Sequence, residues 1–190
     1  ALLVILVAVF QIKSNGILLS VENIRGVMGL LPEMALVAIG VTILMICGEF
    51  DLSVGSVFAL MPMSIAVMLN SGIPFPAALL LGLALCALIG FINGYITLQF
   101  AIPSFITTLG MLFIARSLTI VISGGFPPLL PDNLPTWLFT DYIWQGSILR
   151  MSFVWFVMIA VLAGAFLSLT NFGNWIRATG TCAFLMLTAI

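Results

Sequence analysis

The sequence predicts an all-α fold, a polytopic bundle of about six membrane-spanning helices in a single, partial transmembrane domain covering residues 1–190. Of these residues 63% are hydrophobic and only 6% are charged, and the mean hydropathy is +1.36. A soluble domain carries roughly 25% charged residues. No Asp, Glu, Lys or Arg occurs between Asp51 and Arg116, an interval that three spans of about 20 residues would fill. A lipid bilayer is therefore the expected surrounding of most of the chain.

Composition also excludes several functions. The net charge of −1 disfavours a nucleic-acid partner, which requires a basic face. The chain has no histidine, and its three cysteines, Cys47, Cys86 and Cys182, stand singly in apolar surroundings, which is not the spacing of a zinc site or of a disulfide framework. We expect no metal, no cofactor and no catalytic residues.

Apolar runs separated by turn-forming residues define the predicted spans. The first run is too short to cross a bilayer, so we expect the sequence to begin within a helix. Pro32 and Glu33 are expected to open the second span, after a helix that Ser20 caps. The runs cover about residues 1–12, 32–47, 52–69, 77–100, 103–122 and 151–170.

The chain is organised around residues 48–56, where Glu49 and Asp51 separate two long apolar runs. One hypothesis places Glu49, Asp51 and Ser53 at a gate or on a solute path. The other treats the two acids as interfacial charges at a helix break, with Asp51 near the positive amino end of the next helix. A break of this kind is also compatible with lining a cavity.

The fourth run carries small residues at a spacing of four, and Gly82, Gly90 and Gly94 are predicted to let another helix approach closely. Asn93 would be costly against acyl chains, so it is expected either to join helices or to line a polar path. Arg116 lies deep in the fifth run, where a charge usually faces the bundle interior, although snorkelling to the interface is the alternative. Residues 123–150, rich in Pro and aromatics, predict an interfacial loop.

Several blocks, with Arg116 between the fourth and fifth, follow one another in a recognisable order. They are residues 38–42, 48–56, 90–94, 102–110, 123–125 and 172–180. The ordered set resembles the permease subunits of bacterial ATP-binding-cassette importers for monosaccharides such as ribose, xylose and galactose.

The resemblance implies a multi-pass inner-membrane permease that dimerises with a second copy. It also implies a periplasmic sugar-binding protein and cytoplasmic ATP-binding subunits as partners, with the end carrying Arg177 in the cytoplasm. It places an ATPase-coupling region at Arg177, Thr179 and Gly180. After Gly180 the sequence departs from the family, whose members continue into a docking helix and further spans, so we expect an N-terminal half.

Two classes of function stay open at this stage. The first is a non-enzymatic permease subunit for a monosaccharide-like solute, with ATP hydrolysed on partners, because no G-x-x-x-x-G-K-[ST] phosphate loop occurs. The second is an ion-coupled secondary transporter or channel that uses Glu33, Glu49 or Asp51. A permease fragment without function would have the same sequence pattern, and a membrane enzyme is disfavoured because no nucleophile–base cluster is evident.

Overall fold

The fold comes from a computed structural model that describes residues 2–131, 134–144 and 147–188, with side chains throughout except at Thr136 and residues 181–188. These residues contain α-helices and a 3-10 turn at Ile17–Leu19, and within them the only β pairing is an isolated bridge between Tyr142 and Arg150. The all-α prediction is confirmed. The helices are α1 Leu2–Lys13, α2 Val21–Ile46, α3 Val54–Asn70, α4 Phe75–Phe100, α5 Ser104–Ser123, α6 Thr136–Phe139, α7 Met151–Leu169 and α8 Asn171–Thr188.

Four of the described helices, α2, α4, α5 and α7, are long and apolar enough to cross a membrane, so the expected number of about six spans is slightly too high. The shorter apolar helices are α1, with 12 residues, and α3, with 17. Residues 52 and 53, which were predicted to begin the third span, are not helical. A helix of 17 residues is about 26 Å long, less than the hydrocarbon core of about 30 Å.

The expected start of the second span at Pro32 and Glu33 is wrong, because α2 begins at Val21 and continues through Pro32. The predicted cap is confirmed: the Asn23 amide donates to Ser20 Oγ at 3.2 Å. Proline removes one backbone donor from a helix. Ending the helix there would leave several backbone groups unpaired in an apolar environment, which explains why α2 continues past its proline.

The chain divides into two compact units, residues 1–40 with 135–173 and residues 41–134 with 174–190. In the first unit α6 packs on α7, and Trp155 Nε1 donates to the Leu138 carbonyl at 3.0 Å. No residue of α7 is buried within the described chain. An apolar helix that buries none of its residues against protein is typical of a membrane span, whose side chains lie in lipid.

The second unit is built around α3, which contacts both α4 and α5. Its apolar core consists of Leu60 from α3, Ile89 from α4, and Met111 and Ala115 from α5. Polar side chains are also buried here, at Ser64, Asn93 and Thr108 of the three helices and at Ser53, which directly precedes α3. Buried polar groups require hydrogen-bond partners, and those partners define the site described next.

Candidate functional site

The connection between α2 and α3 is a non-helical break that begins at a left-handed glycine. After Ile46 the chain turns through Gly48, whose φ of 83° is readily adopted only by glycine. Asp51 Oδ1 then accepts from the Ser53 amide at 2.7 Å and from the Ser53 hydroxyl at 2.6 Å. Asp51 thus fixes Ser53, the residue at the amino end of α3.

Hydroxyl groups of α5 accept hydrogen bonds from two further backbone donors of this break. The Phe50 amide donates to Ser104 Oγ and the Leu52 amide donates to Thr108 Oγ1, both at 3.2 Å. Thr108, which is 3% exposed, also donates to the Ser104 carbonyl at 2.7 Å. Two hydroxyls one helical turn apart therefore replace the hydrogen bonds that a continuous helix would have made.

Asn93 connects α4 to the same break. Its Nδ2 donates to Ser53 Oγ at 3.1 Å, and the two side chains are 6% and 0% exposed. The Ser53 hydroxyl has one hydrogen, and it donates that hydrogen to Asp51 Oδ1 at 2.6 Å. Ser53 Oγ must then accept from Asn93, which fixes the orientation of the amide.

The other half of the Asn93 amide has no partner. Its Oδ1 is buried and receives no hydrogen bond from the described residues. A buried acceptor without a donor costs about 1–3 kcal/mol. Asn93 therefore joins two segments through its nitrogen, and its side chain, whose buried oxygen has no donor, lines a cavity.

That cavity has a volume of about 300 Å³ and lies among α2, α4, α5 and the break. Two carboxylates, an amide and three hydroxyls stand among apolar residues in its wall, and none of the described Lys and Arg residues lines it. No cluster of three or more metal-ligating side chains occurs in the part of the chain that the structure describes. The lining residues are Leu44, Glu49, Phe50, Asp51, Gly90, Asn93, Gly94, Thr97, Leu98, Ser104 and Thr108.

The structure brings most of the predicted path residues together. Glu49, Asp51 and Asn93 line the cavity, and Ser53 lies behind its wall, hydrogen-bonded to Asp51 and Asn93. Arg116 does not join them: it is exposed on α5, about 12 Å along the helix from Thr108. Its predicted role is therefore separate from this cavity.

The predicted packing glycines take different places along α4. Gly82 is buried, and a Cβ there would lie 2.9 Å from Ile65 Cδ1 on α3. Gly90 and Gly94 line the cavity, and a Cβ at either would meet no atom within 4 Å. A spacing of four advances about 400° around the helix, so the row turns by roughly 40° per step away from α3.

The predicted coupling residues lie on α8. Arg177 and Thr179 are exposed, and the Thr179 hydroxyl donates to the carbonyl of Ile176 at 2.7 Å. Gly180 lies against the end of α2, where a Cβ would collide with the carbonyl oxygen of Ile46. Glycine is required at this approach, because any side chain would push α8 away from the residue where α2 ends.

Thr97 and Ser104 line the cavity but were not predicted as site residues. Sequence alone could not single them out, since hydroxyls in spans commonly bond to their own helix. The one available signal was the spacing of Ser104 and Thr108, which places two hydroxyls on one face of α5.

Comparison with known proteins identifies the family. A family model described as "Branched-chain amino acid transport system / permease component" matches residues 23–181. The xylose/arabinose import permease protein XylH of Sulfolobus acidocaldarius is 33% identical over 184 residues, 93% of this chain and 50% of that protein. The autoinducer 2 import system permease protein LsrC is 34% identical in Photorhabdus luminescens, over 85% of this chain and 48% of that protein. LsrC of Yersinia pestis is 34% identical over 76% of this chain and 40% of that protein.

The chain thus spans about half the length of the curated relatives it matches. No solved structure matches it. The resemblance to importer permeases that the ordered motif blocks indicated is confirmed. The chain belongs to the family of branched-chain amino acid transport system permease components.

Proposed function

We propose that this chain is the membrane-spanning permease subunit of an ATP-driven importer that carries a monosaccharide-like solute across the bacterial inner membrane. The observation that carries the proposal is the family match over residues 23–181. A relative named as a xylose/arabinose import permease supports a monosaccharide as the solute. Four apolar helices of 19 to 26 residues support a multi-pass location in the membrane.

ATP hydrolysis is proposed to take place on cytoplasmic ATP-binding subunits, because the sequence lacks the glycine-rich phosphate loop. A periplasmic sugar-binding protein and a second permease copy complete the proposed complex. Arg177, Thr179 and Gly180 on α8 are the proposed coupling region. The close approach of Gly180 to Ile46 supports this role, since α2 leads from Ile46 directly into the break at the cavity.

The cavity is the proposed solute site within an alternating-access route. Glu49, Asp51 and Asn93 provide polar groups there, and Ser53 positions two of them. Gly90 and Gly94 leave room for a small molecule because they add no side chain to the wall. Arg116 stays a candidate for a separate part of the route, since it lies on an exposed face of α5.

We also propose that residues 1–190 act as one permease domain whose segment 123–150 lies at the membrane surface. Trp137 and Trp144 in this segment are 64% and 62% exposed. Tryptophan is enriched at both membrane–water interfaces, where its ring and its N–H are each accommodated.

The test is uptake of radiolabelled pentoses by proteoliposomes that contain the chain, its ATP-binding subunits and the sugar-binding protein. Uptake is expected to require ATP and each partner, and the purified chain alone is expected to hydrolyse no ATP. Pentose uptake that is unchanged when the ATP-binding subunits are left out would overturn the proposal.

One observation favours an alternative, an ion-coupled secondary transporter or channel. Glu49 and Asp51 share a cavity that no Lys or Arg lines, and intramembrane carboxylates often bind coupling ions. The two functions differ in energy source. Uptake that persists without ATP and stops when an ionophore dissipates the ion gradient would select the alternative.

A further inference from the structure

We infer that the cavity selects solutes that donate several hydrogen bonds and carry no negative charge, and that Asn93 and Glu49 set this specificity. The inference rests on the proposed function, because it assigns the chemistry of the solute site in the permease. It goes beyond that function by stating which atoms distinguish a neutral sugar from its phosphorylated or carboxylated analogues.

The polar groups in the wall of the cavity are mainly hydrogen-bond acceptors, and they stand among apolar side chains. Glu49 and Asp51 contribute carboxyl groups, and an ionised carboxylate can only accept hydrogen bonds. The hydroxyls of Ser104 and Thr108 already accept from backbone amides of the break. The polar groups that a solute meets in this space therefore favour hydrogen-bond donors.

Asn93 supplies an independent observation that points to a ligand. The side chain is 6% exposed, lines the cavity and leaves Oδ1 without a donor among the described residues. Its nitrogen donates to Ser53 Oγ, so the amide cannot rotate to bring the oxygen to another donor without losing that hydrogen bond. A solute hydroxyl beside Asn93 supplies the donor that the protein itself does not.

Anions are excluded by charge. No Lys or Arg lines the cavity, so a phosphate or carboxylate would approach Glu49 and Asp51 with no compensating cation in the wall. For two unit charges about 6 Å apart at an effective dielectric constant near 20, the repulsion corresponds to about a hundredfold loss of affinity. Donor-rich uncharged solutes experience no such repulsion.

The size of the cavity agrees with a small polyhydroxylated solute. Its volume of about 300 Å³ is at the lower end of the range for ligand pockets, about 300–1,000 Å³. Thr97 lies in the wall and offers a position at which occupancy can be measured directly.

The experiment follows alkylation of a cysteine introduced by Thr97→Cys into the chain in lipid nanodiscs, with Cys47, Cys86 and Cys182 replaced by serine. Ribose, xylose and arabinose are the neutral probes, and xylose 5-phosphate is the anionic probe. At least one pentose is expected to slow alkylation. Xylose 5-phosphate is expected to require a concentration about a hundredfold higher than the most protective pentose.

Three variants separate specificity from folding. Glu49→Gln keeps the shape of a side chain that makes no hydrogen bond to the described residues, and it should lower the half-protecting concentration of the phosphate, relative to that of the pentose, about tenfold. Asn93→Leu should raise the half-protecting concentration of the pentose about tenfold through loss of one hydrogen bond. Asn70→Leu is the matched control, because Asn70 is exposed and outside the cavity wall, and it should leave protection unchanged.

Equal protection by pentose and phosphate would overturn the inference, as would no effect of Glu49→Gln on the phosphate. Protection by none of the three pentoses would also overturn it if ATP-dependent pentose uptake by the assembled complex is intact. In that case the permease function stands and only the assignment of the site fails. Loss of ATP-dependent uptake itself would instead contradict the proposed function.

Discussion

Replacing Thr108 by valine is expected to destabilise the second unit, whereas the same replacement of Thr107 is not. The two residues are adjacent on α5, but their hydroxyls differ in partners. Thr108 Oγ1 accepts from the Leu52 amide at 3.2 Å and donates to the Ser104 carbonyl at 2.7 Å. Thr107 Oγ1 is buried and has no hydrogen-bond partner among the described residues.

The magnitudes follow from these contacts. Thr108→Val leaves the Leu52 amide without its acceptor, and an unsatisfied buried donor costs about 1–3 kcal/mol. Thr107→Val removes a buried polar group that is already unpaired, so its effect should lie between zero and a stabilisation of about 1 kcal/mol. Valine and threonine have similar shapes and similar helix propensities. The two variants should therefore differ by about 2–3 kcal/mol.

The assay is reversible unfolding of the purified protein in mixed micelles. Unfolding is followed by circular dichroism as the mole fraction of denaturing detergent is raised. Each variant is compared with wild type under the same lipid-to-detergent ratio. Thr107→Val is the matched control, since it removes the same hydroxyl from the next residue of the same helix. Equal stability of the two variants would refute the conclusion that α5 hydroxyls hold the break.

Two further predictions concern glycines at close contacts. Gly82→Ala should destabilise the chain by about 1 kcal/mol in the same unfolding assay, because the new Cβ would lie 2.9 Å from Ile65 Cδ1 and overpacking outweighs the gain in helix propensity. Gly90→Ala, whose Cβ meets no atom within 4 Å, is its control and should not destabilise. Gly180→Ala should displace α8 from the carbonyl of Ile46. In the assembled complex it should lower the number of solute molecules transported per ATP hydrolysed. If that number is unchanged, the contact has no coupling role.

Hydropathy was sufficient to place most of the helices. The predicted runs 77–100, 103–122 and 151–170 correspond closely to α4, α5 and α7, because a bilayer imposes both the length and the apolar character of a span. The errors occurred where local signals conflict with that constraint. Pro32 was interpreted as a helix start, although in an apolar environment the cost of unpaired backbone groups favours continuing α2.

The candidate site could be predicted only in part. Glu49 and Asp51 were evident because charges are rare in such a chain, and Asn93 was evident for the same reason among the polar residues. The roles of Thr107 and Thr108 could not be distinguished, since both lie in one apolar helix and either hydroxyl can bond to its own backbone. Only the three-dimensional position of the break determines which of them finds a second partner.

The polar wall of the cavity and the break between α2 and α3 have one physical origin. A non-helical segment at membrane depth is tolerated only where protein groups or a water-filled cavity satisfy its backbone. Here the amides of Phe50, Leu52 and Ser53 each find a side-chain acceptor, and the side chains of Ser104, Thr108 and Asp51 that supply those acceptors also line the cavity. The groups that make the break stable therefore also make the cavity polar. In a continuous α2–α3 helix these amides would bond within the helix, and neither the two α5 hydroxyls nor the Asp51 carboxylate would be needed as acceptors.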